Sequence, residues 1–446
     1  MNKLAKIFCA FACILSFQAN AELFKASEFT LENGLHCVVV ENHKAPVVKS
    51  MIWYKVGSID EAYGKGGLAH LLEHLMFRGT DKVKDGRFNT IMDENGVQSN
   101  AFTSYDFTAY HQFADISRLE ILLALEADRM RHLNFSDEAF EAEQKIVIQE
   151  RQQTVENNPN STFYERLNLL LWGNSPYGQP IGGFTDEIKA LSADDMRAFY
   201  KKFYAPNNAI LVLSGDIDAQ TAKPLIEKYF AHLQAEKIER SVPPDSRESY
   251  DETLQMALPD VTTVKIEQRF MLPNYNSLQP SFYAYILLAE YLGGGETSEL
   301  YRNLILKDKT AVAISTSFRY ITRGNSIFSI TMLPREDTYT SLNNSVELLQ
   351  KHIHMAMQSF DESKLEYVKR KVLADLVYLQ DNPEDAAYMV GYMMANNFTL
   401  EQIQKYENGI NSVKTQDVQQ AYTELMKAPK LSAALLPISF KGGNNE

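Results

Sequence analysis

The stretch Gly67-Leu68-Ala69-His70-Leu71-Leu72-Glu73-His74-Leu75-Met76-Phe77-Arg78-Gly79-Thr80 decides how this chain is read. Leu68, Leu71, Leu72 and Leu75 recur at helical spacing and predict a helix over Gly67 to Arg78. Residues four apart lie on one face of a helix, so His70 and His74 can aim both imidazoles at one metal ion. Glu73 follows His70 by three residues and shares that face. A carboxylate there can take a proton from a water beside the metal. The order His-x-x-Glu-His reverses the commoner His-Glu-x-x-His motif and is the inverzincin arrangement. A surface helix could carry the same three polar residues by chance, but the four leucines set them against an apolar background.

Two histidines leave a catalytic zinc site one protein ligand short. The helix expected over Ser136 to Val155, with Ser136 as N-cap, supplies candidates. Glu143 and Glu150 are seven residues apart, close to two turns, and share a face. Phe140, Ile146 and Val147 beside them bury that side of the helix. Carboxylates on a partly apolar face call for a positive partner, because an unpaired buried charge is expensive. No third histidine offers itself plainly; His111 lies on an expected strand and His132 near a helix end.

Around this core the chain mixes strands and helices. Phe29 to Val40 reads as a hairpin with an Asn33-Gly34 turn. Val47 to Val56 is an apolar strand, and Asn100 to Phe113 alternates as a single strand would. Ser117 to Leu133 is a further helix. A second set of elements repeats the first in order. Phe135-Ser136-Asp137-Glu138 opens a helix ending near Asn158-Pro159, and Phe360-Asp361-Glu362-Ser363 opens one ending near Asn382-Pro383. Helices beginning at Ser192 and Thr415 are each followed by Ala-Pro and an apolar strand. Strand pairs and helices without a βαβαβ run give an α+β class with two homologous αβ sandwich domains. The division expected is 22–235 and 251–446, with a linker at 236–250 where prolines and charges lack an apolar period.

At the N-terminus, Lys3 and Lys6 precede an apolar run from Ile7 to Phe17 and a small-x-small site at Ala19-Asn20-Ala21. Residues 1–21 therefore read as a signal peptide, too short to stay as a membrane anchor. Removing it takes Cys9 and Cys13 and leaves Cys37, which cannot form an internal disulfide. An exported chain without disulfides suits a bacterial periplasm. With 446 residues and a formal charge of -13, the protein has room for two cores and an acidic surface that disfavours nucleic acid and anionic membrane.

Residues 67 to 80 resemble the signature of the pitrilysin family of zinc peptidases, which includes insulin-degrading enzyme and the mitochondrial processing peptidase. Asn100-Ala101-Phe102-Thr103-Ser104-Tyr105-Asp106 resembles the family's substrate-binding edge strand, and Pro176-Tyr177-Gly178 with Ile181-Gly182-Gly183 is similar to a further family stretch. The resemblance covers nearly the whole chain after the leader. It implies one Zn2+ per chain held by His70, His74 and Glu150, with Glu73 as the base and Glu143 behind a histidine ligand. It implies substrate pairing along Asn100, Ala101, Phe102 and Thr103, and paired αβ repeats that enclose a chamber for peptides or unfolded protein.

The second set of elements departs from the metal pattern. Setting Glu290 opposite Glu73 puts Tyr291 opposite His74, and Val368 and Asp375 fall opposite Glu143 and Glu150. Active members of the family carry an Arg and a Tyr seven residues apart in this half; Ile305 and Val312 stand there instead. That departure implies a homologous partner subunit that supplies the pair. The competing reading is a zinc-containing scaffold or peptide-binding subunit, against which the intact Glu73 argues. Leu292-Gly293-Gly294-Gly295 lacks the Lys-Ser/Thr of a phosphate loop.

Overall fold

A computed structural model describes residues 22–84, 86–240 and 251–440. The expected signal peptide and most of the expected linker, residues 241–250, lie outside the described residues. The fold is α+β, with two mixed sheets covered by helices. The first sheet holds β1 (Ala26–Thr30), β2 (His36–Glu41), β3 (Val47–Tyr54), β4 (Gln98–Thr103), β5 (Thr108–Asp115) and β6 (Ala209–Gly215). Their spatial order is β1-β2-β6-β3-β5-β4. The second sheet holds β7 (Asp251–Leu258), β8 (Lys265–Leu272), β9 (Ala311–Arg319), β10 (Ser326–Pro334) and β11 (Lys430–Pro437), in the order β7-β11-β8-β10-β9.

The two orders are one pattern. β2 runs parallel to β6 as β7 runs parallel to β11, and every other pairing is antiparallel. Among the described residues, only β1 has no counterpart in the second sheet. The apolar runs of β3 and β6 are buried over almost their whole length, because helices cover both faces of the first sheet.

Those covering helices are exchanged between the halves. The helix Pro159–Trp172 puts Phe163, Leu167, Leu171 and Trp172 against Met271, Ile327, Leu431 and Ala433 of the second sheet. The helix Pro383–Ala395 lies in return on the face of the first sheet that carries Trp53. A Cβ added at Gly391 would sit 1.9 Å from Trp53 Nε1, so this crossing needs glycine. Each exchanged helix starts at an Asn-Pro pair, with Asn158 or Asn382 accepting from backbone N–H groups of the first turn. The prolines that close one helix in the sequence pattern thus open the next.

Ionic contacts pin the same boundary. Arg323 grips Asp60 at 3.1 and 2.6 Å and reaches Asp106 at 3.2 Å, and all three side chains are buried. Tyr177 donates to Asp106 at 2.5 Å. This cluster also explains where the expected single strand over Asn100 to Phe113 breaks. Ser104-Tyr105-Asp106-Phe107 turns the chain back between β4 and β5, with Asp106 held at the turn. Aromatic residues among small polar ones recur on both sides of the turn, at Phe102, Tyr105, Phe107 and Tyr110, so the pattern of residue types hides it. Asn33-Gly34 does turn the first hairpin, with Gly34 at φ 85°, but in a five-residue loop. Asn33 donates from that loop to the carbonyls of Phe230 and Leu233.

Candidate metal centre

The helix Leu68–Leu75 carries the motif. Leu68, Ala69, Leu71, Leu72 and Leu75 are buried, which fixes the rotation of the helix and turns His70, Glu73 and His74 to its other side. Its first turn is capped by Glu61, which accepts from the N–H groups of Gly67 at 3.0 Å and Ala69 at 2.8 Å. The loop Ile181-Gly182-Gly183 closes over the same end. A Cβ at Gly183 (φ 75°) would lie 2.4 Å from the backbone of Gly66, and one at Gly182 would touch His70 Nδ1 at 3.7 Å. Glu61 and these glycines support the site but carry no ligand chemistry of their own. Sequence reading marked the glycines without giving them a role and passed over Glu61.

The helix Asp137–Arg151 packs across the motif helix. Ser136 caps it by accepting from Ala139 N–H at 3.2 Å. Glu143 and Glu150 face the histidines. Glu150 Oε2 lies 3.4 Å from His74 Nε2 and 3.8 Å from His70 Nε2. One ligand atom from each of these three residues falls within 4.8 Å of the others. Ligands on a tetrahedral zinc with bonds near 2.0–2.1 Å stand roughly 3.3 Å apart, so the cluster needs only small closure to fit that ion. The opposite nitrogen of His74 faces Glu143 Oε2 at 3.1 Å, and Arg78 donates to Glu143 Oε1 at 2.6 Å. The helix expected to reach Arg78 ends at Leu75, and Arg78 lies in the turn that follows, so helical spacing does not mark it as Glu143's counter-charge.

The charges fit a dication. Burial pushes the Glu73 carboxyl above its ordinary range; the Thr103 hydroxyl and His74 pull the other way, and the charge of Glu150 adds to the rise. Burial also holds His70 toward its neutral form, helped by His74. At His74 burial is outweighed by Glu143, and the pKa rises. Glu143 ends below its ordinary value because His74 and Arg78 together outweigh its burial. A neutral His70 offers its lone pair, while three carboxylates face one arginine.

Glu73, His70 and Glu150 open onto a cleft of about 460 Å³ that is also lined by Ala101, Phe102 and Thr103. These last three belong to β4, which among the described residues pairs only with β5 and is the edge of its sheet. Thr103 donates its hydroxyl to Glu73 Oε2 at 2.5 Å, a contact that backbone pairing alone did not foretell. Asn100 is exposed on the same strand.

Two family models match the chain. Residues 37–184 match the insulinase (M16) peptidase domain, and residues 190–372 match the M16 inactive domain. The chain belongs to the M16 family of peptidases. It is 28% identical to the zinc protease PqqE of Helicobacter pylori over 436 residues, 94% of this chain and 95% of that one. A solved protease structure from Helicobacter pylori superposes with a TM-score of 0.83 at 27% identity, covering 93% of this chain and all of the other. The first half of the periplasmic protease PqqL of Escherichia coli shares the fold at a TM-score of 0.78 and 20% identity, with 92% of each chain covered. A probable β subunit of the mitochondrial-processing peptidase of Schizosaccharomyces pombe is 29% identical over 228 residues, half of each chain.

The second M16 half carries no comparable group among its described residues. On the helix Phe282–Gly293, Tyr291 donates its hydroxyl to the carbonyl of Ala356 at 2.9 Å. Glu290 is paired with Lys371, which also donates to the carbonyl of Gly294. Ile305 is half-buried, and Val312, on the edge strand β9, is 56% exposed.

Proposed function

We propose that this chain is a zinc-dependent endopeptidase that hydrolyses peptide bonds in peptides or unfolded polypeptides. The observation that carries the reading is the convergence of His70, His74 and Glu150 on one point, with Glu73 beside them at the open edge of a sheet. Zinc held by those three residues would polarise a scissile carbonyl and lower the pKa of a water toward ~7. Glu73 takes the proton of the attacking water and passes it to the leaving amine. Its raised pKa suits a group that must both accept and release a proton near neutrality. The Thr103 hydroxyl steadies that carboxylate, and Glu143 orients His74 by accepting from its Nδ1 side. Asn100 to Thr103 would accept a substrate strand alongside β4, giving affinity through the backbone. Replacing Glu73 by Gln should keep zinc and fold but lower peptide turnover at least a hundredfold. Wild-type turnover in that variant would remove Glu73 from the mechanism.

The active form in this reading includes a homologous partner. Ile305 and Val312 cannot donate hydrogen bonds to a developing oxyanion, and loss of one such donor costs roughly a hundred- to a thousandfold in rate. A partner carrying the Arg and Tyr would restore them. Peptide turnover by the mixture should then far exceed the sum of the two chains alone. A pure single chain with full activity removes the partner from the proposal. No rise on mixing, with zinc bound and little hydrolysis, favours a scaffold or peptide-binding subunit instead. The periplasm is the compartment proposed, on the strength of the N-terminal leader pattern; no described helix is long and apolar enough to cross a membrane. The division into 22–235 and 251–446 is likewise a proposal, with the helix exchange making each half depend on the other.

A further inference from the structure

β4 has two faces. Ala101 and Thr103 point toward the motif helix, where Thr103 meets Glu73. Phe102 points to the opposite face, toward the helix 383–395 that arrives from the second half. There Phe102 stands 5.7 Å from the ring of Tyr388 at 35°, and 5.4 Å from Trp53 at 79°. Tyr388 also meets Trp53 at 5.6 Å. Packing accounts for Trp53, which is fully buried, and for Phe107 beneath it. Tyr388 packs against Trp53, Phe102 and Tyr392 yet keeps 46% of its surface exposed beside the open edge of the sheet.

A peptide added to β4 lies about 4.8 Å beyond it and turns alternate side chains to opposite faces. The residue beside Thr103 faces Glu73. Its neighbour beside Phe102 faces away from the motif helix, into the space bounded by Phe102 and Tyr388. We propose that Phe102 and Tyr388 form a shelf that receives a large apolar or aromatic substrate side chain, one residue from the position held against Glu73. The two halves of the chain build this subsite together: the first supplies the strand and Phe102, the second supplies Tyr388. The charged trio of Lys49, His111 and Glu384 lies along the same helix and sheet face, with Lys49 Nζ 2.6 Å from Glu384 and 3.0 Å from His111. Those groups bound the shelf on one side and leave the aromatic rings as its apolar part.

The inference rests on the peptidase reading, and the experiment separates the two. The probes are fluorogenic decapeptides that differ only in Phe or Ala at one position near the cleaved bond. The full chain should cleave the Phe peptide about tenfold better in kcat/KM at one of those positions, the scale of one aromatic contact plus its burial. Tyr388→Ala should bring that ratio close to one by slowing the Phe peptide far more than the Ala peptide, and Tyr388→Phe should restore it. A general loss of fold would lower both peptides together, so the ratio reports the shelf. The same preference should appear in the binding constants of the Glu73→Gln protein, which needs no hydrolysis. If wild type cleaves neither peptide, alone or mixed with a homologous partner subunit carrying the Arg and Tyr, the peptidase reading fails, and the binding ratio still decides the shelf. A ratio that Tyr388→Ala leaves intact overturns the shelf. So does a variant whose only change is in assembly with another protein subunit, which would assign Tyr388 to an interface.

Discussion

In the first half of the molecule, a helix bearing two histidines meets a helix bearing two glutamates. In the second half the helices at the same stations, Phe282–Gly293 and Glu362–Asp381, meet through a lysine. Both halves retain a carboxylate at the matching place, Glu73 and Glu290. Glu290 is neutralised by Lys371, from the chain itself. Glu73 sits among Glu143 and Glu150, with Arg78 directed to Glu143, so its side of the fold is left short of positive charge. One scaffold therefore admits two solutions to a half-buried carboxylate. An internal cation makes a settled contact, whereas carboxylates gathered around two imidazoles, His70 held toward its neutral form, make a candidate place for a metal ion.

The largest effect that divides the halves is metal content. Elemental analysis after dialysis should find about one zinc per chain, falling to below roughly a tenth with His70→Ala or Glu150→Gln. Glu290→Gln and Tyr291→Phe should leave it unchanged. Zinc lost from the second-half variants, or kept in both first-half ones, breaks the comparison.

A second test addresses what joins the halves. Arg323→Met leaves Asp60 and Asp106 buried without their counter-charge, which should cost about 3–5 kcal/mol in urea unfolding. Lys371→Met also strands a carboxylate, but Glu290 is part exposed, and the cost should be nearer 1 kcal/mol. Equal losses would mean that the contact between halves is no more demanding than one within a half.

The candidate metal group was legible in the sequence because it is local. His70, Glu73 and His74 share one helix face by spacing alone, and Glu143 and Glu150 share another. The repeat was legible for the same reason, since Ser136 and Asp361 cap matching helices. What the sequence hid is long-range. Asn158-Pro159 and Asn382-Pro383 read as helix ends, yet each begins a helix that crosses to the other sheet. Nothing in the apolar period of 159–172 says which sheet it covers. The turn at Ser104–Phe107 was hidden as well, because Arg323, more than two hundred residues away, supplies its anchor.

Behind the candidate ligands, Glu143 has no acidic counterpart; Val368 is buried at the matching station. Glu143→Gln keeps the size and an acceptor but loses the charge facing His74 and Arg78. It should weaken zinc affinity about 10- to 100-fold, read by competition with a chelator. Unchanged affinity would reduce Glu143 to a partner of Arg78 alone.

The smallest effect sharpens the contrast between the exchanged helices. The helix 159–172 reaches the second half through Asn160, which accepts from Lys265, and Asn168, which accepts from Arg269 at 2.6 Å. Neither amide titrates. The helix 383–395 reaches the first half through Glu384, which shares Lys49 with His111. Burial, and then the charge of Lys49, push the His111 imidazole down to about 4. An unfolded histidine titrates near ~6.5. Above that value both states are neutral and the folded state loses nothing. As the pH falls from about 6.5 to about 4, the unfolded chain gains a proton at His111 that the folded chain refuses, so stability drops across that window. The slope attributable to His111 is at most about 1.4 kcal/mol per pH unit, and less to the extent that solvent reaches the half-buried ring. His111→Gln keeps an acceptor for Lys49 and removes the titration. Urea unfolding at equal zinc concentration, repeated between pH 4 and 8, should therefore show a shallower acid limb in the variant and the same stability trend above pH 7. Parallel acid limbs in wild type and variant would show that the contact of the second exchanged helix is as indifferent to pH as that of the first.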